Sequence, residues 1–233
     1  INLEKEKIGE VLIDKLKIKR KKREDKEWKE FWGRSKRAKK EVRIGIVGKY
    51  FATGNFVLTD SYISIIESIK HATLAVNRKA VIKWIDSGDF DPEEKNHKEN
   101  LKKLKELDGV IVPGGFGSRG VEGKIQAIQY CREHRIPYLG LCYGMQMLVV
   151  EFARNVASLK SAHTTEVDQK TKHPVIDILP EQEKLLLENN YGGTMRLGAY
   201  PAKIKPDTIA RDAYEKPSIS ERHRHRYEVN PEY

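Results

Sequence analysis

Residues 136–144 constrain this chain more than any other stretch. The apolar run Ile136-Pro137-Tyr138-Leu139-Gly140-Leu141 reads as a strand. It leads without a linker into Cys142-Tyr143-Gly144 and a helix-forming segment, Met145 to Ala153. A strand that turns directly into a helix places the residue at the turn on a sharp, exposed apex, the layout of a nucleophile elbow. Gly140 and Gly144 on either side permit the turn and leave no Cβ to crowd the thiol of Cys142. A helix N-terminus behind that thiol predicts a preference for thiolate. The ordinary alternative is a buried apolar cysteine, and the flanking glycines argue against it.

Other segments extend the strand–helix alternation. Val42 to Val47, ending at Gly48, reads as a buried strand. Tyr62, Ile65, Ile66, Ile69 and Ala72 share one helix face. Ala80 to Ile85 is a second strand, Glu94 to Leu107 a polar helix, and Gly109 to Val112 a third strand followed by Pro113-Gly114-Gly115-Phe116-Gly117. Gly123 to His134 forms a helix ahead of the cysteine strand. This order predicts an α/β fold with an open, mostly parallel central sheet flanked by helices. Beyond about residue 160 the pattern turns β-like, with turns at Tyr191-Gly192-Gly193 and Lys205-Pro206-Asp207, so an antiparallel section is expected in the C-terminal third. Sites in parallel sheets form beyond the carboxyl ends of the strands, where the glycine loop and Cys142 both fall.

The net charge of +10 is unevenly placed. Residues 1–42 hold 16 Lys and Arg against 9 Asp and Glu, and the remainder 28 against 25. The run Lys19-Arg20-Lys21-Lys22-Arg23 could attract nucleic acid, but no set of stacking aromatics accompanies it, and a solvated helical linker is the simpler account. Ile8, Val11, Leu12 and Leu16, then Trp28, Phe31 and Trp32, fall at helical spacing on either side of it. Residues 1–41 are therefore expected to be a basic helical connector, and residues 42–233 a separate domain. No apolar run is long enough to span a membrane. The two cysteines, Cys131 and Cys142, make no disulfide framework, which favours a reducing, cytoplasmic setting. Cys131 lies mid-helix without glycines and reads as structural. No Cys/His spacing suggests a metal site.

A cysteine at such an elbow can form a thioester with a carboxamide or ester carbon and release it by hydrolysis. The tetrahedral intermediate needs two donors at its oxyanion. One is expected from the backbone N–H of Tyr143, the other from the glycine loop at Gly115, where close backbone approach and a positive φ would suit glycine.

Gly140 to Gln146 resembles the nucleophile motif of class I glutamine amidotransferases. Val112 to Gly117, Arg119 to Gly123, Gly192 to Gly198 and Glu221 to Asn230, with Ile46 to Tyr50 and Asp60-Ser61-Tyr62, narrow the resemblance to glutaminase domains of the CTP synthase family, over roughly residues 42–233. The family implies a cysteinyl thioester of L-glutamine. The ammonia released would reach a separate synthetase domain that uses ATP and Mg to aminate UTP to CTP. It also implies a homotetramer that responds to GTP, with no cofactor or metal in the glutaminase domain and no nucleic-acid or membrane partner. By the same resemblance Cys142 is the nucleophile, Gly115 and Tyr143 supply the oxyanion donors, and Phe116, Gly144, Met145 and Gln146 adjoin glutamine. Glu166 then holds the substrate ammonium and Arg226 its carboxylate, a pairing that suits an α-amino acid. Arg222, Arg224 and Arg226 would project to one side of a strand.

Two departures accompany the resemblance. The family draws its histidine base and orienting glutamate from a His-Pro-Glu-type segment, and none of the seven histidines stands in one. With the boundaries at Ile1 and Tyr233, this reads as a fragment lacking its last segment and therefore inactive by itself. Residues 51–58 depart from the family pattern and are expected to form a variable loop. A glutaminase domain of another amidotransferase, or a catalytically silent glutaminase-like regulatory module, is the alternative.

Overall fold

The computed structural model describes residues 5–19, 26–49, 52–53, 56–57, 62–178 and 196–233. Two helices come first, α1 (Ile8–Lys15) and α2 (Lys26–Arg37), followed by strand β1 (Glu41–Gly48). The short strands β2 (Ala52–Thr53) and β3 (Phe56–Val57) precede α3 (Ile63–Ala75) and β4 (Lys79–Asp86). Next come α4 (His97–Lys102), β5 (Gly109–Val112), α5 (Val121–Glu133), β6 (Tyr138–Gly140) and α6 (Tyr143–Asn155). The last third holds β7 (Ala162–Thr164), β8 (His173–Ile178), β9 (Arg196–Lys203), α7 (Ile209–Tyr214), β10 (Ser218–His225) and β11 (Tyr227–Val229).

The central sheet has the order β4-β1-β5-β6, with every pairing parallel. Side chains alternate across it, as the two-residue period of a strand requires. Val47, Val110 and Val112 face a core shared with Ile125 and Ile128 of α5 and Met147 and Val150 of α6. Ile46 and Ile111 face the opposite side, against Tyr62 and Ile69 at α3. Helices thus cover both faces, the condition under which parallel sheets are stable. Beyond this layer, β9 and β10 form an antiparallel hairpin, and β11 pairs antiparallel with β8. The pairing of β7 with β8 is parallel, the one exception to the expected antiparallel section among the described residues.

Several boundaries differ from expectation. The polar helix expected over 94–107 is shorter, because α4 gives way to a 3₁₀ turn at Lys103–Glu106. Residues 52–53 and 56–57 form the paired strands β2 and β3 where a loop was expected. The turn expected at Tyr191-Gly192-Gly193 lies outside the described residues, as does the basic run from residue 20 onward. No residue of α1 or α2 is buried. Helix α2 touches α3 through Phe31, whose ring meets His71 edge-on at 5.1 Å, while Trp28 remains 68% exposed.

Helices α5 and α6 carry the elements that build the site, and polar contacts join them. Glu151 is fully buried and accepts from Arg132 Nη2 at 2.8 Å and Nε at 3.1 Å. Arg154 reaches Glu122 at 3.0 Å and donates through Nε to the Ala162 carbonyl at 2.7 Å, tying both helices to β7. Cys131, packed in the same core, has its thiol pushed up to about 12 by burial and is inert at neutral pH.

Candidate active site

The elbow forms as its residues predict, though the glycines act differently from expectation. Cys142 itself holds the left-handed backbone, with φ 52° and ψ −109°, a strained state for a non-glycine residue. The neighbouring backbone fixes it there. Leu141 N–H donates to the Val112 carbonyl at 2.9 Å, Gly144 N–H to that of Leu141 at 3.0 Å, and Gln146 N–H to that of Cys142 at 3.0 Å. Gly140 and Gly144 do not have positive φ. They are needed for clearance. A Cβ on Gly140 would stand 2.6 Å from the Gly144 carbonyl carbon, and one on Gly144 would run into the Val112 carbonyl oxygen.

The glycine loop lies beside the thiol. A Cβ on Gly114 would stand 3.5 Å from Cys142 Cβ. The positive φ of the loop falls on Gly117, at 74°, and not on Gly115 as expected. Gly117 is tied from two sides: its N–H donates to Glu166 Oε1 at 2.8 Å, and its carbonyl accepts from the Tyr143 hydroxyl at 2.7 Å. Phe116 is 68% exposed, and its carbonyl accepts from Lys49 Nζ.

These elements enclose a cleft of about 1050 Å³ lined by Gly114, Gly115, Phe116, Cys142, Gln146 and Glu166 on one side and by Arg224, His225, Arg226 and Tyr227 on the other. Of the residues singled out by sequence, Cys142, Gly115, Phe116, Gln146, Glu166 and Arg226 come together there. Tyr143, Gly144 and Met145 do not line it. The Tyr143 ring is buried beneath the loop, Gly144 is buried against β5, and Met145 faces outward. Gln146 uses its side-chain amide to donate to the Tyr227 carbonyl at 2.7 Å, joining the elbow helix to the arginine-bearing strand.

Strict alternation of Arg222, Arg224 and Arg226 does not hold. The chain breaks between β10 and β11 at Arg226, so four consecutive residues, 224 to 227, face the cleft. Sequence reasoning assigned Tyr62 and Ile65 only to a helix face, yet both reach the cleft wall, and it left His225 and Tyr227 without a role. The Asp60-Ser61-Tyr62 motif was the available signal for Tyr62. His225 has close neighbours of its own. Its Nε2 lies 2.7 Å from His223 Nδ1, and its Nδ1 3.4 Å from Glu228 Oε1. Burial lowers its pKa, so at neutral pH it is uncharged.

The expected preference for thiolate is not met. Solvent reaches Cys142, but the surrounding walls desolvate it, and this burial raises the thiol above its ordinary value. The Tyr143 backbone N–H opposes the rise and the Glu166 charge adds to it, so the helix N-terminus contributes but is outweighed. Alkylation of Cys142 by iodoacetamide, read by mass spectrometry, should therefore have its midpoint above the ordinary thiol range. Glu166→Gln should lower that midpoint, since an anion that resists a second negative charge is gone. An unchanged midpoint would show that Glu166 does not act on the thiol.

The family description "Glutamine amidotransferase class-I" matches residues 57–233. CTP synthases of Pyrococcus abyssi and Sulfurisphaera tokodaii are 48% and 51% identical over 231 residues, 99% of this chain. The chain spans 40% and 41% of the length of those two relatives. A solved structure, the Trypanosoma brucei CTPS glutaminase domain with bound acivicin, superposes with a TM-score of 0.72 at 38% identity, covering 82% of this chain and 69% of that one. The chain belongs to the class I glutamine amidotransferases, in the branch formed by the glutaminase domains of CTP synthases.

Proposed function

We propose that this domain hydrolyses L-glutamine through a thioester on Cys142. The observation that carries the reading is one cleft holding the strained cysteine, the glycine loop, the Glu166 carboxylate and the Arg226 guanidinium. A free α-amino acid presents an ammonium and a carboxylate together, and the cleft offers a partner for each. Tyr227 lies within the field of both Glu166 and Arg226, which supports a site where the two charges act on one bound molecule.

The Cys142 thiolate attacks the side-chain carboxamide carbon. The oxyanion of the tetrahedral intermediate is received by the backbone N–H groups of Tyr143 and Gly115. Collapse breaks the C–N bond, and the nitrogen takes up a proton and leaves as ammonia. Water then attacks the thioester, releasing glutamate and restoring the thiol. The base and its orienting acid would come from a His-Pro-Glu-type segment of the intact enzyme, because the imidazole of His225 is hydrogen-bonded to that of His223. At the level of the whole protein, the ammonia would be consumed by an ATP- and Mg-dependent synthetase domain converting UTP to CTP, in a GTP-responsive cytoplasmic tetramer.

Trapping tests the reading. Quenching the intact enzyme during turnover should leave a glutamyl adduct on the peptide containing Cys142. Glutamate production with the adduct on another residue would overturn it. Arg226→Ala should raise KM for glutamine by about 10–100-fold, the loss of a charge-assisted hydrogen bond worth about 1.5–3 kcal/mol. An unchanged KM would remove Arg226 from the carboxylate site.

A further inference from the structure

Lys124 is a buried charge that the chemistry above leaves without a task. It lies in the first turns of α5, 2% exposed, and its Nζ has no hydrogen-bond partner. A lysine this deeply buried is ordinarily paired, because an uncompensated ammonium is costly to desolvate.

Its surroundings are specific. The ammonium stands 5.5 Å from the centroid of the Tyr143 ring, over its face. The charged groups acting on it are Lys49 at the end of β1 and Asp86 at the end of β4. Next to Asp86 is Ser87, also fully buried with its Oγ unpartnered; its carbonyl lies directly against Gly123, which seats α5 on this corner.

Tyr143 is the residue through which this matters. Its backbone N–H is one proposed oxyanion donor. Its hydroxyl holds the Gly117 carbonyl at 2.7 Å, and its Cδ1 would lie 3.8 Å from a Cβ on Gly115, which carries the other proposed donor. One ring therefore joins both halves of the oxyanion hole, with the Lys124 ammonium over its face.

We propose that Lys124 is a positioning residue for the oxyanion hole: its ammonium, by holding the Tyr143 ring, keeps the elbow and the glycine loop in register for the tetrahedral intermediate. The inference rests on the glutaminase reading. A cation–π contact in a desolvated site has the strength for this task. Burial lowers the Lys124 amine to about 8, with Lys49 adding to the depression and Asp86 opposing it. The contact is accordingly present below that pH and is lost as the amine gives up its proton above it. The rate of glutamine hydrolysis should carry a falling limb in that region.

Steady-state glutamine hydrolysis by the intact wild-type enzyme, Lys124→Met and Lys124→Arg, followed across neutral and alkaline pH, tests this. Lys124→Met should lose about tenfold in kcat, the scale of a buried cation–π contact. Its KM should stay within about twofold, because substrate binding is untouched, and the falling limb should vanish. Lys124→Arg, which stays charged, should keep its rate at alkaline pH where the wild type declines. Removing an unpaired buried charge should leave the melting temperature of Lys124→Met equal or higher at neutral pH, which separates lost positioning from lost folding. Wild-type kcat with the same falling limb in Lys124→Met would overturn the inference alone. A wild type that releases no glutamate at any pH would overturn the glutaminase reading and this inference with it.

Discussion

Cys142→Ala is expected to abolish release of glutamate from glutamine by the intact enzyme, with a fall on the order of 10⁵–10⁶-fold in kcat, as when a nucleophile acting in concert with its base is removed. The size follows from the structure. The thiol stands at the turn that joins β6 of the central sheet to α6, beside the glycine loop and in one cleft with Arg226. Cys131 cannot substitute: it is fully buried, with a thiol at about 12. The substitution should not harm folding, because alanine removes a sulfur that solvent already reaches. It also keeps a Cβ at the strained φ, so no strain is added. Residual turnover well above the uncatalysed rate, in a variant that binds glutamine normally, would mean that another group forms the thioester or that no thioester forms.

Gly144→Ala is expected to be the most damaging of the glycine substitutions at this site. The new methyl group would occupy the space of the Val112 carbonyl oxygen and stand 2.8 Å from its carbonyl carbon and 3.0 Å from its Cβ. Neither side can yield cheaply. Val112 is fully buried in a central strand, and its carbonyl already receives the Leu141 N–H at 2.9 Å. Helix α6 must lift from β5, which breaks the bonds that hold Cys142 in place. Overpacking of this kind costs about 3 kcal/mol or more, or a fall of about 6–12 °C in melting temperature for a chain of this size. Thiol alkylation should lose its elbow-specific pH dependence as well. Gly115→Ala is the matched control. Its methyl group would meet Tyr143 Cδ1 at 3.8 Å, an ordinary contact, and its φ is not positive, so the melting temperature should hold while kcat falls. Equal melting temperatures for Gly144→Ala and the wild type would show that the elbow does not depend on this clearance.

The alternation of strands and helices was legible because each segment carries its own period. Val42 to Val47, closed by Gly48, and Gly109 to Val112, closed by Pro113-Gly114, are short runs rich in apolar residues, and they became adjacent parallel strands. The turn that carries Cys142 was legible for the same local reason. Three features were not. The strain at the elbow falls on Cys142 and not on its glycines, because that depends on how closely Val112 of another strand passes by. The thiol is raised, because its desolvation and its proximity to Glu166 come from elements far away in the chain. His225 and Tyr227 entered the cleft because β10 ends one residue before Arg226, which no alternation rule anticipates.

The sequence by itself determined the parallel α/β scaffold, the strand-to-helix turn at Cys142 and the glycine loop beside it, since all three are written in contiguous residues with local conformational preferences. Only the tertiary structure decided which charges meet around Cys142. Burial and Coulomb interactions depend on distances between residues as remote in the chain as Cys142, Glu166 and Arg226, and those distances exist only once the chain has folded.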